Sequence, residues 1–451
     1  MATHIANGDS RLSLWLRVRE YAVPPSMIET ATARRLAGDW AGACAAARVD
    51  VDLDPRSVTR GHGRELAARV RDDLRHLAPD LLRWHMPRIA PDGLLRPGLT
   101  VGLARYTAEG RDGPYPVHLV ARTPPAWADA GQRIALAVWD GSRSATVACP
   151  HPHPHPRFRM DLHRHLWDAR RAGELRVRSG ADRPAGTADC ALPRSAPNGH
   201  RCAMDRWAAE ARLVLRADER ATAPGVVVRL GRRYRLLVDP LGGTPVQLRT
   251  DGDGLPVLPD AATWVPPDLE LLRAGAIDAG RLHPLVAAAL APARASAGPP
   301  RAPERADRPH LVDCRGEVHR IGQVDGVLTA LDHRADEIRR EELLAALTGT
   351  PLPCLQAIDR AHRRPDCLTG VRERLDHGDT AGALAVVEGL LGPGAVLRDG
   401  PLREELEAAA QRRIAYGLFR NGLAGPAPGR VLPGTPRPPS WRGRPRHGAV
   451  R

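Results

Sequence analysis

The chain contains no lysine: all 66 of its Lys+Arg residues are arginine. No ε-amino side chain exists to serve as a P-loop lysine, the strand lysine of a protein kinase, a pyridoxal Schiff base or the lysine of a Ser-x-x-Lys dyad, so these chemistries are excluded. Phenylalanine and tyrosine are scarce as well, at 2 and 5 against 9 tryptophans. Arg, Ala, Gly and Pro have GC-rich codons, whereas Lys, Phe, Tyr and Ile are mostly AT-rich. The bias therefore reads as that of a GC-rich bacterial gene, and arginine content alone is no sign of nucleic-acid binding. The Gly-x-Ser-x-Gly elbow of serine hydrolases and the His-Glu-x-x-His of zinc peptidases are also missing.

Long apolar runs are absent too. Met1 to Glu20 holds no apolar leader core, and Leu282 to Ala293, the most apolar stretch, falls short of the ~20 residues that cross a bilayer. Seven cysteines at irregular spacing, in a chain long enough to fold without staples, imply reduced thiols and a cytoplasmic protein with no membrane contact.

What is present is a chain of 451 residues, 43% hydrophobic, enough for two to three domains of about 100–200 residues with real cores. With so few other aromatics, those cores are expected to use Leu, Val and Ala, with tryptophan as the large residue. The formal charge is +14, but Gly425 to Arg451 carries six arginines, no acid and many Pro and Gly. This segment reads as a disordered basic tail, and the body before it is only mildly basic.

An internal repeat organises the rest. Residues 25–68 align without a gap on 365–408 with 11 identities in 44 positions, clustered in Gly38-Asp39-x-Ala41-Gly42-Ala43-x-Ala45 against Gly378-Asp379-x-Ala381-Gly382-Ala383-x-Ala385. The pattern predicts helical hairpins over 26–48 and 366–388. Ser26 and Glu29 supply a capping box, Gly38 a left-handed helix end, and Asp39 the next N-cap. A third helix is predicted in each copy, over 62–86 from Leu66, Val70, Leu74, Leu77 and Leu81, and later from Leu402, Leu406, Ala410, Ile414 and Leu418.

Between the copies, Leu99–Tyr106, Pro116–Arg122 and Arg133–Trp139 predict an antiparallel meander. Helices are predicted near Met160–Leu175 and Met204–Leu215, and strand over Val226–Val238. A weaker parallel relates Leu237-Val238-Asp239 to Leu311-Val312-Asp313, each expected to turn near Asp-Gly (251–252, 325–326) before a helix. The fold class is α+β, with helical-hairpin modules flanking a central antiparallel region. The expected domains are a helical module over 1–92, an α+β region over 93–292, a linker over 293–309, a β-hairpin and helix module over 310–424, and the tail over 425–451.

Candidate sites are few. Cys149, His151, His153, Cys190, His200 and Cys202 offer the ligand types zinc takes, but alternating prolines aim successive histidines in different directions and no Cys-x-x-Cys accompanies them, so no metal site is favoured. Asp50, Asp52 and Asp54 lie at period two and read as a solvated strand face, since Pro55 and Gly61 break the EF-hand pattern. Cys44 and Cys367 align with Leu384 and Met27 and read as packing residues, as do Cys314 and Cys354 in their apolar surroundings. Polyanion binding would fall to Arg437, Trp441, Arg442, Arg444 and Arg446 in the tail.

The function expected from this pattern is that of a non-enzymatic interaction or scaffold protein, because paired small-residue hairpins commonly build binding surfaces. The alternatives are an enzyme whose Arg, His and Asp side chains or metal assemble only in the fold, and a nucleic-acid-associated protein acting through the tail. No cofactor is expected, and the expected partner is another protein.

Overall fold

The computed structural model describes residues 10–107, 116–128, 132–141, 151–183, 201–220, 222–231, 234–248, 254–292, 310–314, 316–349 and 351–423. The fold is mixed α+β with several small, mostly antiparallel sheets, and it divides into two compact units, Met1–Pro300 with Gly422–Arg451, and Arg301–Asn421. Among the described residues, no helix is long and apolar enough to cross a membrane.

The first unit opens with helices α1 (Ser10–Tyr21), α2 (Pro25–Leu36) and α3 (Trp40–Ala46), then strand β1 (Val49–Val51) and helices α4 (Pro55–His76) and α5 (Pro79–His85). A short ribbon of β2 (Arg88–Ile89) and β3 (Leu94–Leu95) leads to the meander of β4 (Thr100–Tyr106), β5 (Val117–Arg122) and β6 (Ile134–Trp139). Helices α6 (Leu175–Ser179) and α7 (Met204–Ala217) precede β7 (Val226–Arg229), β8 (Arg235–Val238) and β9 (Val246–Gln247), followed by α8 (Asp260–Thr263), α9 (Pro267–Arg273) and α10 (Pro284–Leu290).

The meander forms from the three short β runs, with order β1-β6-β5-β4 and β1 added in parallel on β6. The acidic run is divided by this pairing. Asp50 grips Arg133 with both oxygens, while Asp54 caps α4 by accepting from the Arg56 and Ser57 amides at 3.1 and 3.0 Å. These two carboxylates serve separate elements and build no common cation site. On the opposite edge, the Pro/His segment runs beside β4: His155 and Asp161 donate backbone bonds to Thr100 and Gly102, and the Thr100 hydroxyl donates to His151 O. An extended, proline-bearing path thus covers a sheet edge that would otherwise invite pairing.

Tryptophan fills the core, as the composition implies: Trp84, Trp167 and Trp207 are among the largest fully buried side chains. Arginine joins it. Arg19 is buried between Trp84 and Trp15, its guanidinium 4.2 and 5.0 Å from their ring centroids, and it holds Asp268 at 2.6 and 3.0 Å. Its third nitrogen donates to Trp84 O at 2.9 Å, and Trp84 Nε1 donates to Asp268 at 3.0 Å. One buried carboxylate thereby ties α1, α5 and α9 together. Burial lowers the Arg19 pKa, and Asp268 opposes that loss of charge.

The second unit contains the antiparallel sheet β10 (His310–Cys314), β11 (Glu317–Val324) and β12 (Val327–Ala330), then α11 (Ala335–Thr348), α12 (Pro353–Arg363), α13 (Leu368–Asp376), α14 (Thr380–Leu391) and α15 (Pro401–Arg420). Asp325 and Gly326 turn the β11–β12 hairpin at φ 50° and 75°, the left-handed pair that Asp-Gly favours. The earlier Asp251-Gly252 lies outside the described residues.

The repeat is reproduced bond by bond. Gly38 and Gly378 sit at φ 78° and 82° between their helices, and the Asp39 and Asp379 amides donate to Arg34 O and Arg374 O. Each aspartate then accepts from the amide three residues on, Gly42 at 2.8 Å and Gly382 at 3.2 Å, and from the guanidinium five residues back, Arg34 at 2.8 Å and Arg374 at 3.0 Å. A Cβ at Gly42 or Gly382 would overlap the aspartate carboxylate, which explains glycine at the first turn of a helix.

Several local expectations fail for identifiable reasons. The Ser26–Glu29 capping box does not form, because Pro25 takes the first helical position and Pro24 the cap. The helix expected over 62–86 is really α4 and α5, parted at Leu77–Ala78 before Pro79, and α4 itself kinks at Gly63, φ 85°. Met160–Leu175 forms turns and short 3-10 segments, Arg164–Leu166 and Ala172–Glu174, instead of a helix. In α15 the buried residues are Leu402, Ala409 and Phe419, while Ile414 and Leu418 are exposed, so the second stripe is only half packed.

Gly38→Val places a β-branched residue in the left-handed region and should cost ~1–3 kcal/mol by thermal or urea unfolding. Its Cβ meets nothing within 4 Å, so a larger loss would refute a purely backbone origin. A second check concerns Glu210, which accepts from Arg178 at 2.6 Å twice and lies 3.4 Å from His163. Burial raises its pKa, but the His163 and Arg178 hydrogen bonds outweigh this and hold the carboxyl down at about 2 against an ordinary 4.5. A depressed carboxyl contributes above its unfolded pKa and loses that contribution as pH falls. On the order of 2–3 kcal/mol should therefore vanish between about pH 5 and pH 2. In acid unfolding series, Glu210→Gln should be less stable near neutrality and flatter below pH 5.

Candidate metal centre

Four side chains of the second unit converge: Cys314, His319, His333 and Cys354, whose ligand atoms all lie within 4.8 Å of one another. Among the described residues no other group of three or more His, Cys, Asp or Glu meets that condition. Local structure explains the convergence. Cys314 ends β10, and the chain turns at Gly316, φ 89°, to enter β11. Cross-strand pairs Cys314↔Glu317 and Val312↔His319 put Cys314 and His319 on the same sheet face. His333 follows β12, where Asp332 is fastened to Arg320 by bonds of 2.6 and 2.7 Å. Cys354 comes from the first turn of α12.

The imidazoles present opposite nitrogens to the cluster. His319 Nδ1 and His333 Nε2 face each other at 2.6 Å, with ring centroids 4.3 Å apart. The outward nitrogens face carboxylates, His319 Nε2 toward Glu317 at 3.5 Å and His333 Nδ1 toward Glu337 at 3.4 Å. Carboxylates behind ligating histidines are a regular feature of metal sites, where they fix the tautomer and increase the basicity of the inner nitrogen. Cys314 and Cys354 are buried within a small core of Ile321, Ala330, Leu352 and Ile358. Burial, then a hydrogen bond with Cys314, pushes the Cys354 thiol up to about 11.

Two thiols and two imidazoles form the Cys2His2 donor set of structural zinc, whose bonds of about 2.0–2.3 Å give ligand–ligand edges of roughly 3.3–3.8 Å. Side-chain adjustments of about 1 Å bring this cluster to those edges. With all four positions taken by protein, no coordination site is left for water or substrate, and the chemistry available is cross-linking.

The sequence reading had Cys314 and Cys354 as packing residues. Their burial agrees with it, and the fold adds two imidazoles beside them. The ligands are separated by 4, 13 and 20 residues with no Cys-x-x-Cys half-site, so the readable signal was limited to a Cys and a His flanking a glycine turn within one β-hairpin. Of the candidates considered earlier, His151, His153 and Cys202 lie among the described residues and form no such group there. His153 packs edge-on to Trp139 at 5.4 Å, and His151 lends its carbonyl to Thr100. Cys202 lies in the core around Trp207, its thiol pushed up to about 12 by burial. Cys149, Cys190 and His200 lie outside the described residues, as do Arg437, Trp441, Arg442, Arg444 and Arg446 of the tail. Compared with protein-family models, curated proteins and solved structures, the chain matches none.

Protein purified without chelator should carry about one equivalent of zinc by elemental analysis, and Cys314→Ser or Cys354→Ser should abolish it. Glu337→Gln should weaken zinc binding by ~10–100-fold without removing a ligand. Equal zinc content in the wild type and both cysteine variants would rule the site out.

Proposed function

We propose that the second unit is a metal-stapled protein-interaction module of a cytoplasmic, non-enzymatic protein. The observation that carries this reading is the division of labour across its sheet. One face bears Cys314, His319, Ile321 and Ala330 and packs against α12. The other bears Leu311, Val318, Val324 and Val327, with Leu311 and Val318 62% and 65% exposed. Helix α11 has no buried residue among those described and adds Leu347 at 85% exposure, with Leu343 and Leu344 beside it. Apolar side chains left in water over a sheet face and along a helix of the same unit are what a partner protein covers.

Metal and surface are linked physically. The core under this sheet holds only six buried residues, too few to fix three short strands whose outer face contributes nothing to burial. Four metal bonds from β10, β11, the β12 exit and α12 supply the missing rigidity, and that rigidity holds the outer face in a fixed shape for recognition.

The test is capture from a nuclease-treated native lysate by wild-type protein and by the double variant Leu311→Glu, Val318→Glu. A protein retained by the wild type and released by the variant, with zinc content equal in both, is expected. Equal retention by both, or a partner lost on nuclease treatment, would overturn the reading.

A further inference from the structure

We propose that the first unit holds a binding pocket for a small organic anion, a carboxylate or phosphomonoester carried on an aromatic or other apolar body. The pocket is a cavity of about 380 Å³ lined by one side of α1, the end of α5, the segment Arg157–Met160, Arg229 at the end of β7 and residues between Asp260 and Pro267. It lies within the first unit and does not depend on the metal centre. Its size is that of ordinary small-molecule sites.

The argument from charge is one of unequal pairing. Seven arginines line the cavity, and four have carboxylates of their own. Arg19 holds Asp268, Arg11 holds Glu270, Arg157 holds Asp260 at 2.9 and 2.8 Å, and Arg159 holds Asp161 and Asp218. Arg88, Arg96 and Arg229 have none within ion-pair distance among the described residues. Arg88 donates only to the carbonyls of Arg83 and Gly93, at 2.8 and 3.4 Å, and its buried Nε has no partner. Arg96 lies 5.9 Å from the Phe158 ring, and the buried Nε of Arg229 is likewise unpartnered.

Three partly buried guanidinium groups with no carboxylate at ion-pair distance are costly, because arginine remains protonated, each is repelled by a neighbouring arginine, and Asp260, already held by Arg157, is the carboxylate that Arg96 and Arg229 share at longer range. The strain shows in all three: burial, then Arg19, lowers Arg88 to about 9, while burial, then Arg157 or Arg235, lowers Arg96 and Arg229. An anion in the cavity removes that cost through charge-assisted hydrogen bonds, and guanidinium forks match carboxylate and phosphate oxygens two at a time.

The remaining walls select the body of the ligand. Trp84, Phe158, Leu230 and Trp264 give apolar and aromatic surface for a flat group to lie on. His85 supplies a neutral polar contact. Its Nδ1 lies 3.1 Å from the carbonyls of Leu81 and Leu166, which only accept, so Nδ1 carries the proton and Nε2 is an acceptor. Burial lowers this imidazole to about 4, so it stays uncharged and adds nothing to the positive surplus.

The test titrates the full chain with adenosine 5′-monophosphate and with indole-3-acetate, and in parallel with adenosine, indole and inorganic phosphate, by calorimetry and thermal shift. At least one aromatic anion should bind and raise the melting temperature, with the uncharged bodies and free phosphate at least tenfold weaker. Which anion binds tells phosphate from carboxylate recognition. Arg96→Met and Arg229→Met should each cut affinity at least tenfold while raising the melting temperature of ligand-free protein, since each removes an unpaired buried charge. A merely structural arginine would lower that temperature instead. No shift with either aromatic anion, equal affinity of both variants and wild type, or destabilised ligand-free variants would overturn the proposal. Should one variant fail to fold, the other carries the same comparison.

Discussion

The Arg19–Asp268 pair is the constraint around which the first unit is arranged. A chain with two phenylalanines and no lysine builds its core from tryptophan and arginine, and both bring polar atoms that must be satisfied wherever they are buried. Asp268 meets three of those demands at once, accepting from two arginine nitrogens and one indole. Arginine suits this task because its planar fork bonds along its edges while its faces stack on Trp84 and Trp15. The same α5 buries Asp80 against His283 at 2.9 Å and sends Arg83 to the carbonyls of Ala22 and Gln132. A seven-residue helix so rich in polar groups is held inside by this pairing, which leaves Asp80 Oδ1 without a partner, and the wall of the adjacent pocket is its outer end.

Direct pairing such as that of Arg178 with Glu210 holds buried charge elsewhere in the unit, although the buried Arg83 bonds carbonyls and the Nε of Arg206 has no partner. The pocket differs in gathering three arginines that lack a carboxylate at ion-pair distance around one cavity. Where the pattern stops, the fold tolerates a local electrostatic penalty, and such penalties collect at binding sites because a ligand relieves them. The second unit meets a different shortage. Its sheet has little apolar surface facing inward, and the Cys2His2 set beneath it is placed where a bound metal would add bonds to what burial supplies.

Legibility from the sequence followed the range of the forces involved. The helical hairpins could be read because a glycine at the helix end, an aspartate cap and a glycine three residues later act within one turn, and the same letters gave the same bonds at Asp39 and Asp379. The meander was readable from short β runs split by Gly- and Pro-containing turns, and the Asp325-Gly326 turn from its dihedral demands. Misreadings arose where one local signal overrode another, as when Pro25 displaced the Ser26 cap or Pro79 split a continuous apolar stripe. The parallel partner of β6 and the role of the Pro/His segment on β4 were hidden, since pairing across more than 50 residues leaves no local trace. The metal centre was hidden for the same reason: Cys354 is apolar in its own neighbourhood, and only α12 folding onto the sheet brings it to His319 and His333.

The sequence by itself determined what chemistry is absent, that the fold mixes helices with antiparallel strands, and that two hairpins share one design, because composition and capping act on neighbouring residues. Only the tertiary structure decided which cysteines meet histidines, which arginines find carboxylates and which face of the C-terminal sheet remains in water. Those outcomes depend on distances between residues far apart in the chain, and a pattern of residue types carries no measure of such distances until the chain has folded.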